Sequence, residues 1–455
     1  MKRLLICLAV FFSLTGGASA QRIEVVKKTP VRLPAVKEMP FRIPQVREVS
    51  AANGVKAWLI EEKSTPLIAV SLLFNGGAAS DPKRLQGLTP IAAALLSDGA
   101  GRYKAEELNQ ILAEKAIELN FSSGADYISA ELTTLREHKE TAFDFLRLAL
   151  TKPRFDKRAL KRVKEQTLAA VKARKGNPNA AAYERFLKLA FKNHPYSRIM
   201  PAADGVKAVT RAALKRLVRR RITRDNMVIG VAGNISESEL KDLLETTFSD
   251  LPEKAVLPDI PDVTPELSAH TDVLTMDAPQ SAAVFGHSGI ARGDPDYYAA
   301  LLVDYSFGGG GFASRLFDKV REKNGLAYSV STFMLPLKHS PMYIGTLASD
   351  NAKIAGAIDI VKAEWAKMAQ AGQTAKELKD AKTYLTGSFP LSFTSSSELA
   401  SFLAALQYNG EGIDCLQNRN ALMNAVTLSE ARRVAARLLA PESLFFVVVG
   451  KPANL

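Results

Sequence analysis

The chain has 455 residues, which is enough for two ordinary domains and too long for one compact core. Its 47% hydrophobic and 24% charged residues exclude a disordered or fibrous protein. The net charge of +13 favours acidic partners or a solvated basic surface. Cys7 lies in a predicted leader, which leaves Cys415 alone and excludes an intramolecular disulfide. The five His stand at least 17 positions apart, which excludes a local two-His zinc motif.

The first residues have the features of an export signal. A basic start is followed by an apolar run over Leu4–Leu14 and by the small residues Ala18-Ser19-Ala20. This pattern predicts a signal peptide over residues 1–20. The run is shorter than the roughly 20 residues that a membrane span needs, so we expect no stable membrane anchor and a periplasmic protein. Four prolines within residues 21–46 favour an extended strap.

Regular periodicities begin at about residue 47 and predict a first domain over 47–251. The prolines of residues 252–268 are typical of a domain linker. A capping box at Ser236 and Glu239 marks the start of the closing helix of the first domain. The expected strands are Val55–Glu62, Leu67–Asn75, Ile117–Ser122, Tyr127–Thr133 and Met227–Ala232, and the expected helices are Gly87–Asp98, Ala105–Ala116, most of Glu137–Arg221, and Glu237–Thr247.

Residues 269–455 repeat this plan and predict a second, homologous domain. Both halves end with a helix, a polar turn and a hydrophobic strand that closes on Gly, which indicates duplication. We therefore expect an α+β fold of two homologous domains, each a mostly antiparallel sheet with helices packed on one face. The expected strands are Asp272–Met276, Ala282–His287, Ala327–Met334, Met342–Ala348 and Leu444–Val449, and the expected helices are Asp296–Phe307, Phe312–Glu322 and most of Ala352–Leu439.

The sharpest local motif, SFGGGGFASRLFDKVREKNGLAYSV, spans Ser306–Val330. Its glycines break one helix and begin another, and backbone without side chains can approach a ligand closely. A plain hinge between helices is the alternative. A dinucleotide site is excluded because a helix precedes the glycines, and a Walker loop is excluded because no Gly-Lys-Ser/Thr follows. The candidate substrate-binding residues are Gly308, Gly309, Gly310 and Gly311.

Two candidate catalytic side chains follow the glycines. Arg321 ends the predicted helix and Tyr328 lies on the outgoing strand, so the two can reach one side of the structure. A guanidinium and a phenol can orient a carbonyl and stabilise an oxyanion, but they cannot alone activate water. A surface Arg beside a half-buried strand Tyr is the alternative.

Two further patterns lead to no function. Gly286-His287-Ser288-Gly289 lacks the second Gly of a serine-hydrolase elbow in the right place. The basic stretches Lys152–Lys175 and Lys215–Arg224 hold only Phe155 for base stacking, so we expect no nucleic-acid binding. They are interpreted as solvated helix faces or contacts to an acidic partner.

Over roughly residues 45–450 the chain resembles the pitrilysin/insulinase family of zinc peptidases, in particular its short, processing-peptidase-like branch. The stretch GGGGFASRLFDKVREKNGLAYSV is very similar to the signature of the second domain in that family. The resemblance implies that Arg321 positions substrate and that Tyr328 stabilises the oxyanion. It also implies that the glycines border a clamshell-shaped chamber in the dimer.

The first domain departs from the family in its metal motif. Active members carry H-x-x-E-H on the first long helix, where two His bind zinc and the Glu is the general base. In the stretch QGLTPIAAALLSDGAG these positions are Pro90, Ala93 and Ala94, and the third ligand falls near Ala170. A methyl group cannot coordinate zinc. We therefore expect no metal in this chain and no activity from the chain alone.

The resemblance implies a non-catalytic subunit of a heterodimeric periplasmic zinc metallopeptidase. Arg321 and Tyr328 would complete the site of a homologous, zinc-bearing partner, and Zn²⁺ would lie in that partner. The substrate would be a peptide or an unfolded polypeptide, bound as an added strand on a sheet edge. The alternative is a peptide-binding or structural scaffold protein with no role in hydrolysis.

Overall fold

The computed structural model describes residues 45–455, so the predicted signal peptide and residues 21–44 of the predicted strap lie outside the described residues. The described residues group into one compact unit. Among the helices of the described part, none combines the length and the hydropathy that a membrane crossing requires.

The first half forms a six-stranded sheet in the order β1-β2-β6-β3-β5-β4, which is antiparallel except where β2 pairs with β6. Its strands are β1 (Arg47–Ser50), β2 (Lys56–Glu61), β3 (Leu67–Asn75), β4 (Glu118–Ser123), β5 (Tyr127–Leu135) and β6 (Met227–Gly233). Its helices are α1 (Leu88–Leu96), α2 (Ala105–Glu114), α3 (Lys139–Thr151), α4 (Lys157–Lys175), α5 (Pro178–Phe191), α6 (Ala203–Ala208), α7 (Arg211–Arg221) and α8 (Glu237–Phe248).

The second half forms a five-stranded sheet in the order β7-β11-β8-β10-β9, again antiparallel except for the pair β7 and β11. Its strands are β7 (His270–Thr275), β8 (Gln280–Ser288), β9 (Ser329–Leu335), β10 (Met342–Asp350) and β11 (Phe445–Gly450). Its helices are α9 (Tyr297–Asp304), α10 (Ile354–Ala371), α11 (Ala375–Gly387), α12 (Ser396–Tyr408), α13 (Cys415–Ala425) and α14 (Leu428–Leu438).

The predicted α+β class and the predicted strands are confirmed, and the capping box at Ser236 and Glu239 begins α8 as expected. Two details differ. The strand β1 was not among the expected strands. The predicted helix Phe312–Glu322 is present but begins later and has another type: residues 311–313 form a 3-10 turn, and the helix starts at Arg315 and is π-helical over Phe317–Glu322.

The alternation of side chains along β3 determines on which face of the first sheet the hydrophobic core of the first half lies. Ile68, Val70, Leu72 and Phe74 point to one face and pack with helices of the same half, such as α1 through Ile91. Each such side chain contributes about 1.5–3 kcal/mol when it is fully buried. The intervening positions of β3 point to the other face, which holds the cavity described below.

Each sheet also receives one helix from the other half. Helix α12 covers the second face of the first sheet, where Leu403 packs with Trp58. Gly230 on β6 permits this approach, because a Cβ there would lie 2.7 Å from the backbone nitrogen of Ala404. Helix α5 in turn covers the second sheet, with Phe186 5.9 Å from Phe445 between ring centroids. The helices of each half pack on one face as predicted, and this exchange covers the other face.

Residues 252–268 contain no helix or strand and are held against both halves. Val263 N donates to the His339 carbonyl at 2.9 Å, and Val256 N donates to the Arg220 carbonyl at 2.8 Å. A ring nitrogen of His194, Nε2, lies 2.9 Å from the Pro261 oxygen. The predicted linker is therefore tied to the surfaces that it joins.

Candidate functional site

The glycine segment lies where α9 ends and a π-helical turn, Tyr305–Gly309, begins. Gly308 is buried against β9, where a Cβ would overlap the hydroxyl of Thr332 and lie 2.9 Å from its backbone nitrogen. Gly309 lies against the carboxyl of Asp304 in the same way. Gly311 faces open space with φ +55°, a backbone conformation that favours glycine. A Cβ at Gly310 would likewise overlap the Tyr305 carbonyl oxygen, so packing accounts for three of the four glycines. Gly309 and Gly311 are exposed to solvent.

Under this segment lies a buried carboxyl. Asp304 Oδ1 accepts hydrogen bonds from Thr332 Oγ1 at 2.6 Å and from the Tyr343 hydroxyl at 2.9 Å. Burial raises the pKa of Asp304 to about 7, and the two hydrogen bonds only partly oppose that effect. The Asp304 carboxyl under the glycine segment therefore titrates near neutral pH.

Arg321 lies at an exposed position in the π-helical segment Phe317–Glu322. Its guanidinium carbon lies 4.9 Å from the centroid of the Phe317 ring, a cation–π contact. The same ring lies 4.5 Å from the ring of Phe312, whose side chain is 81% exposed. Sequence reasoning missed Phe312, although an aromatic residue directly after four glycines is a recognisable signal for an exposed contact.

Tyr328 lies one residue before β9, and its side chain is 51% exposed. Its hydroxyl donates to Asp350 Oδ1 at 2.7 Å, and its backbone nitrogen donates to the Ala348 carbonyl at 2.9 Å. The hydrogen bond to Asp350 raises the pKa of Tyr328, so the phenol stays protonated and remains a donor.

The chain between Arg321 and Tyr328 is a tight turn. Gly325 N donates to the Arg321 carbonyl at 3.0 Å, and Leu326 N donates to the Val320 carbonyl at 3.0 Å. The turn places both side chains at exposed positions beside the edge strand β9. The Arg321 guanidinium contacts the Phe317 ring, and the Tyr328 hydroxyl donates to Asp350. The two groups therefore have separate partners.

The positions of the family's metal ligands, and of its general base at Ala93, lie on two helices of the first half. Pro90 is in the first turn of α1, where its missing N–H leaves no helical bond unmade. Ala93 is 2% exposed on the same helix, whereas Ala94 is exposed, and Ala170 is exposed on α4. These side chains offer no donor atom, and within residues 45–455 no three His, Cys, Asp or Glu are grouped to hold a metal ion. The residues present do not fit zinc.

A buried ion pair holds the start of α1. Arg221 Nη1 lies 3.3 Å from Asp81 Oδ1 and also donates to Thr89 Oγ1 at 2.7 Å. Arg221 further donates to the carbonyls of Gly76 at 2.9 Å and Ser80 at 2.7 Å. Asp81 in turn accepts from the Thr89 backbone nitrogen at 2.9 Å. These contacts therefore hold the start of α1, the helix that carries the metal motif in the family, in a fixed position in this chain.

Comparison with known proteins identifies the relatives of this arrangement. The first half matches over residues 57–203 the family model described as insulinase (peptidase family M16), and residues 208–385 match that of the peptidase M16 inactive domain. The non-peptidase homolog YmxG of Helicobacter pylori is 28% identical over 345 residues, which cover 74% of this chain and 79% of the relative. The uncharacterized zinc protease YmxG of Bacillus subtilis is 25% identical over 398 residues, with 85% and 94% covered.

Solved structures agree with these matches. The crystal structure of a peptidase M16 inactive domain from Pseudomonas fluorescens is 25% identical, has a TM-score of 0.85, and covers 90% of this chain and 98% of that chain. The periplasmic protease PqqL from Escherichia coli shares the fold at a TM-score of 0.77 and 14% identity. The match covers 90% of this chain and 46% of PqqL. Taken with the α1 geometry, these matches show that the chain belongs to the M16 (insulinase) peptidase family, as a member without the side chains that bind the family's metal.

Proposed function

We propose that this chain is the non-catalytic subunit of a heterodimeric periplasmic zinc metallopeptidase and supplies Arg321 and Tyr328 to the active site of a homologous, zinc-bearing partner. One observation carries the proposal. The zinc-ligand positions Pro90, Ala94 and Ala170 hold no ligand and the general-base position Ala93 holds no base, while the Arg and Tyr of the family's second-domain signature are present and exposed.

Each donor has a chemical role in this proposal. The Tyr328 phenol would stabilise the oxyanion that forms when a peptide carbonyl is attacked, because its hydroxyl stays protonated. The Arg321 guanidinium would position the substrate, since it carries several N–H donors and is already exposed. Neither group can activate water, so hydrolysis would depend on the partner, and Zn²⁺ would belong to the partner.

Substrate binding would use backbone as well as side chains. Strands β4 and β9 are edges of their sheets, and an edge strand presents unpaired N–H and C=O groups. A peptide or unfolded polypeptide can add to such an edge as a further strand. The exposed part of Gly308–Gly311 would border the same chamber and let a peptide approach the backbone closely.

The alternative is a peptide-binding or scaffold protein with no role in hydrolysis. It is favoured by one specific observation: both candidate donors already have internal partners, Phe317 for Arg321 and Asp350 for Tyr328. Donation to a partner's substrate would require the Tyr328 hydroxyl to leave Asp350.

The test compares Tyr328→Phe with Tyr384→Phe, a matched removal of one phenol from the exposed helix α11. Each variant is mixed with the zinc-bearing partner, and cleavage of a quenched peptide is measured together with dimer formation. We expect the chain alone to be inactive and to hold no stoichiometric zinc. Tyr328→Phe should lower kcat by about 10²–10³-fold with the dimer intact, as for loss of one oxyanion donor.

Full activity of the Tyr328→Phe mixture would overturn the donor role. Peptide binding by the chain with no effect on the partner's cleavage would instead establish the scaffold function. Export is tested separately: a mature N-terminus at Gln21 in the periplasmic fraction is expected, and an intact N-terminus in the cytoplasm would contradict it.

A further inference from the structure

A cavity of about 760 Å³ lies on the second face of the first sheet, away from Arg321 and Tyr328. Its volume is within the range of small-molecule sites. The walls come from β3, β4 and β5, from Pro90 on α1, from helices α5 and α12, and from the turn after β9. Because α12 and that turn belong to the second half, the helix exchange between the halves creates this cavity.

Glu131 on β5 places a carboxyl in this cavity. Its Oε1 accepts from Ser71 Oγ at 2.8 Å, and its Oε2 accepts from Ser401 Oγ at 3.2 Å. No Lys, Arg or His between residues 45 and 455 forms a salt bridge with Glu131, and burial raises the pKa of its carboxyl. A carboxyl that is partly buried without a cation favours a cationic ligand, because the ligand supplies the missing counter-charge.

The other charged groups that line or border the cavity are hydrogen-bonded to neutral partners. Asp126 accepts from the Tyr196 hydroxyl at 2.8 Å and from Lys338 N at 3.0 Å. The Lys338 ammonium donates to Asn75 Oδ1 at 2.8 Å and lies 5.8 Å from the ring centroid of Tyr408. Among residues 45–455 neither Asp126 nor Glu131 forms a salt bridge, and Glu131 is the carboxyl held between two serine hydroxyls.

The remaining walls suit an apolar body. Tyr127 and Tyr408 line the cavity as an edge-to-face pair with centroids 5.6 Å apart, and Tyr183 lines it from α5. Aromatic faces attract cations as well as apolar groups. Leu335 at the end of β9 and Leu337 in the turn after it provide aliphatic surface.

We infer that this cavity binds a primary ammonium group carried on an apolar body, with Glu131 as the counterion and the hydroxyls of Ser71 and Ser401 beside it. Three N–H donors of an ammonium match a carboxylate and two hydroxyl oxygens. The ammonium can be that of a free amine or of a lysine side chain in a peptide, since both present the same group. The inference concerns the chain alone and does not depend on a peptidase partner.

The experiment is a fluorescence titration of the full chain with dansylcadaverine, which carries a primary amine on a pentyl chain. Its N-acetylated form is the neutral control. We expect the amine to bind at least about tenfold more tightly than the acetylated form, and Glu131→Gln to abolish that difference. Glu106→Gln, which removes the same charge from exposed α2, should leave it unchanged.

A second variant keeps the inference testable if Glu131→Gln does not fold. Ala405→Phe fills the cavity from α12 without touching the carboxyl, and it should block binding of both probes. Displacement by n-hexylamine would assign a free amine, and displacement only by acetyl-Phe-Lys-amide would assign a peptide lysine. Equal binding of the amine and its acetylated form, unchanged selectivity in Glu131→Gln, or displacement by neither competitor would overturn the inference.

Discussion

Replacing Asp304 with asparagine is expected to remove a large part of the pH dependence of stability. The carboxyl lies under the glycine segment, accepts two hydrogen bonds from Thr332 and Tyr343, and is 8% exposed. Asparagine has nearly the same shape and its amide oxygen can accept the same two bonds, but it never ionises. The substitution therefore isolates the cost of the charge.

The size of the effect follows from the pKa. Burial raises the pKa of Asp304 from 3.8 to about 7. Below pH 3.8 the carboxyl is protonated in both the folded and the unfolded chain, so burial of its charge subtracts nothing from the free energy of unfolding. Between pH 3.8 and 7 the unfolded chain releases the proton while the folded chain holds it, so stability falls as pH rises. About three pKa units correspond to about 4 kcal/mol lost by pH 7.

Urea unfolding followed by circular dichroism at several values between pH 4 and pH 8 measures this difference. The free energy of unfolding of Asp304→Asn, relative to the unmodified chain, should rise by about 3–4 kcal/mol across that range. Asp359→Asn on the exposed surface of α10 serves as the control and should follow the unmodified chain. Parallel curves for Asp304→Asn and the unmodified chain would refute the claim that this carboxyl is kept protonated by burial.

Three further substitutions test the packing by urea unfolding at pH 7. Arg221→Met should cost about 3–5 kcal/mol, because it leaves the buried Asp81 carboxylate without its cation; a loss below about 1 kcal/mol would contradict this. Gly308→Ala should lower the free energy of unfolding by about 1–3 kcal/mol, because its Cβ would overlap β9. The loss should exceed that of the comparison variant Gly311→Ala, whose Cβ faces open space and which carries only the backbone penalty of about 1 kcal/mol. Ser236→Ala should cost about 1 kcal/mol, since its hydroxyl accepts from Glu239 N at the start of α8, and an unchanged midpoint would rule out that cap.

Local patterns were sufficient for most of the secondary structure. Apolar alternation predicts β3 and β5, and the Ser236 capping box predicts the start of α8, because these features depend on residues close together in the chain. The missing metal ligands are equally readable, since the side chains of Pro90 and Ala94 have no atom that can coordinate zinc wherever they lie. A helix after the glycines was predicted correctly but its type was not, because helical spacing alone does not distinguish an α-helix from the π-helical segment at Phe317–Glu322.

The candidate ligand site could not be found in this way. Glu131 stands out as an acid within an apolar strand, but only the arrival of α12 from the other half places Ser401 beside it and closes a cavity around it. Likewise, nothing near Asp304 in the chain reveals that Thr332 and Tyr343 surround its carboxyl. Periodicity specifies which face of an element is apolar. The partner of that face is chosen by contacts between residues far apart in the chain, and those contacts set the burial and the charge environment of each site.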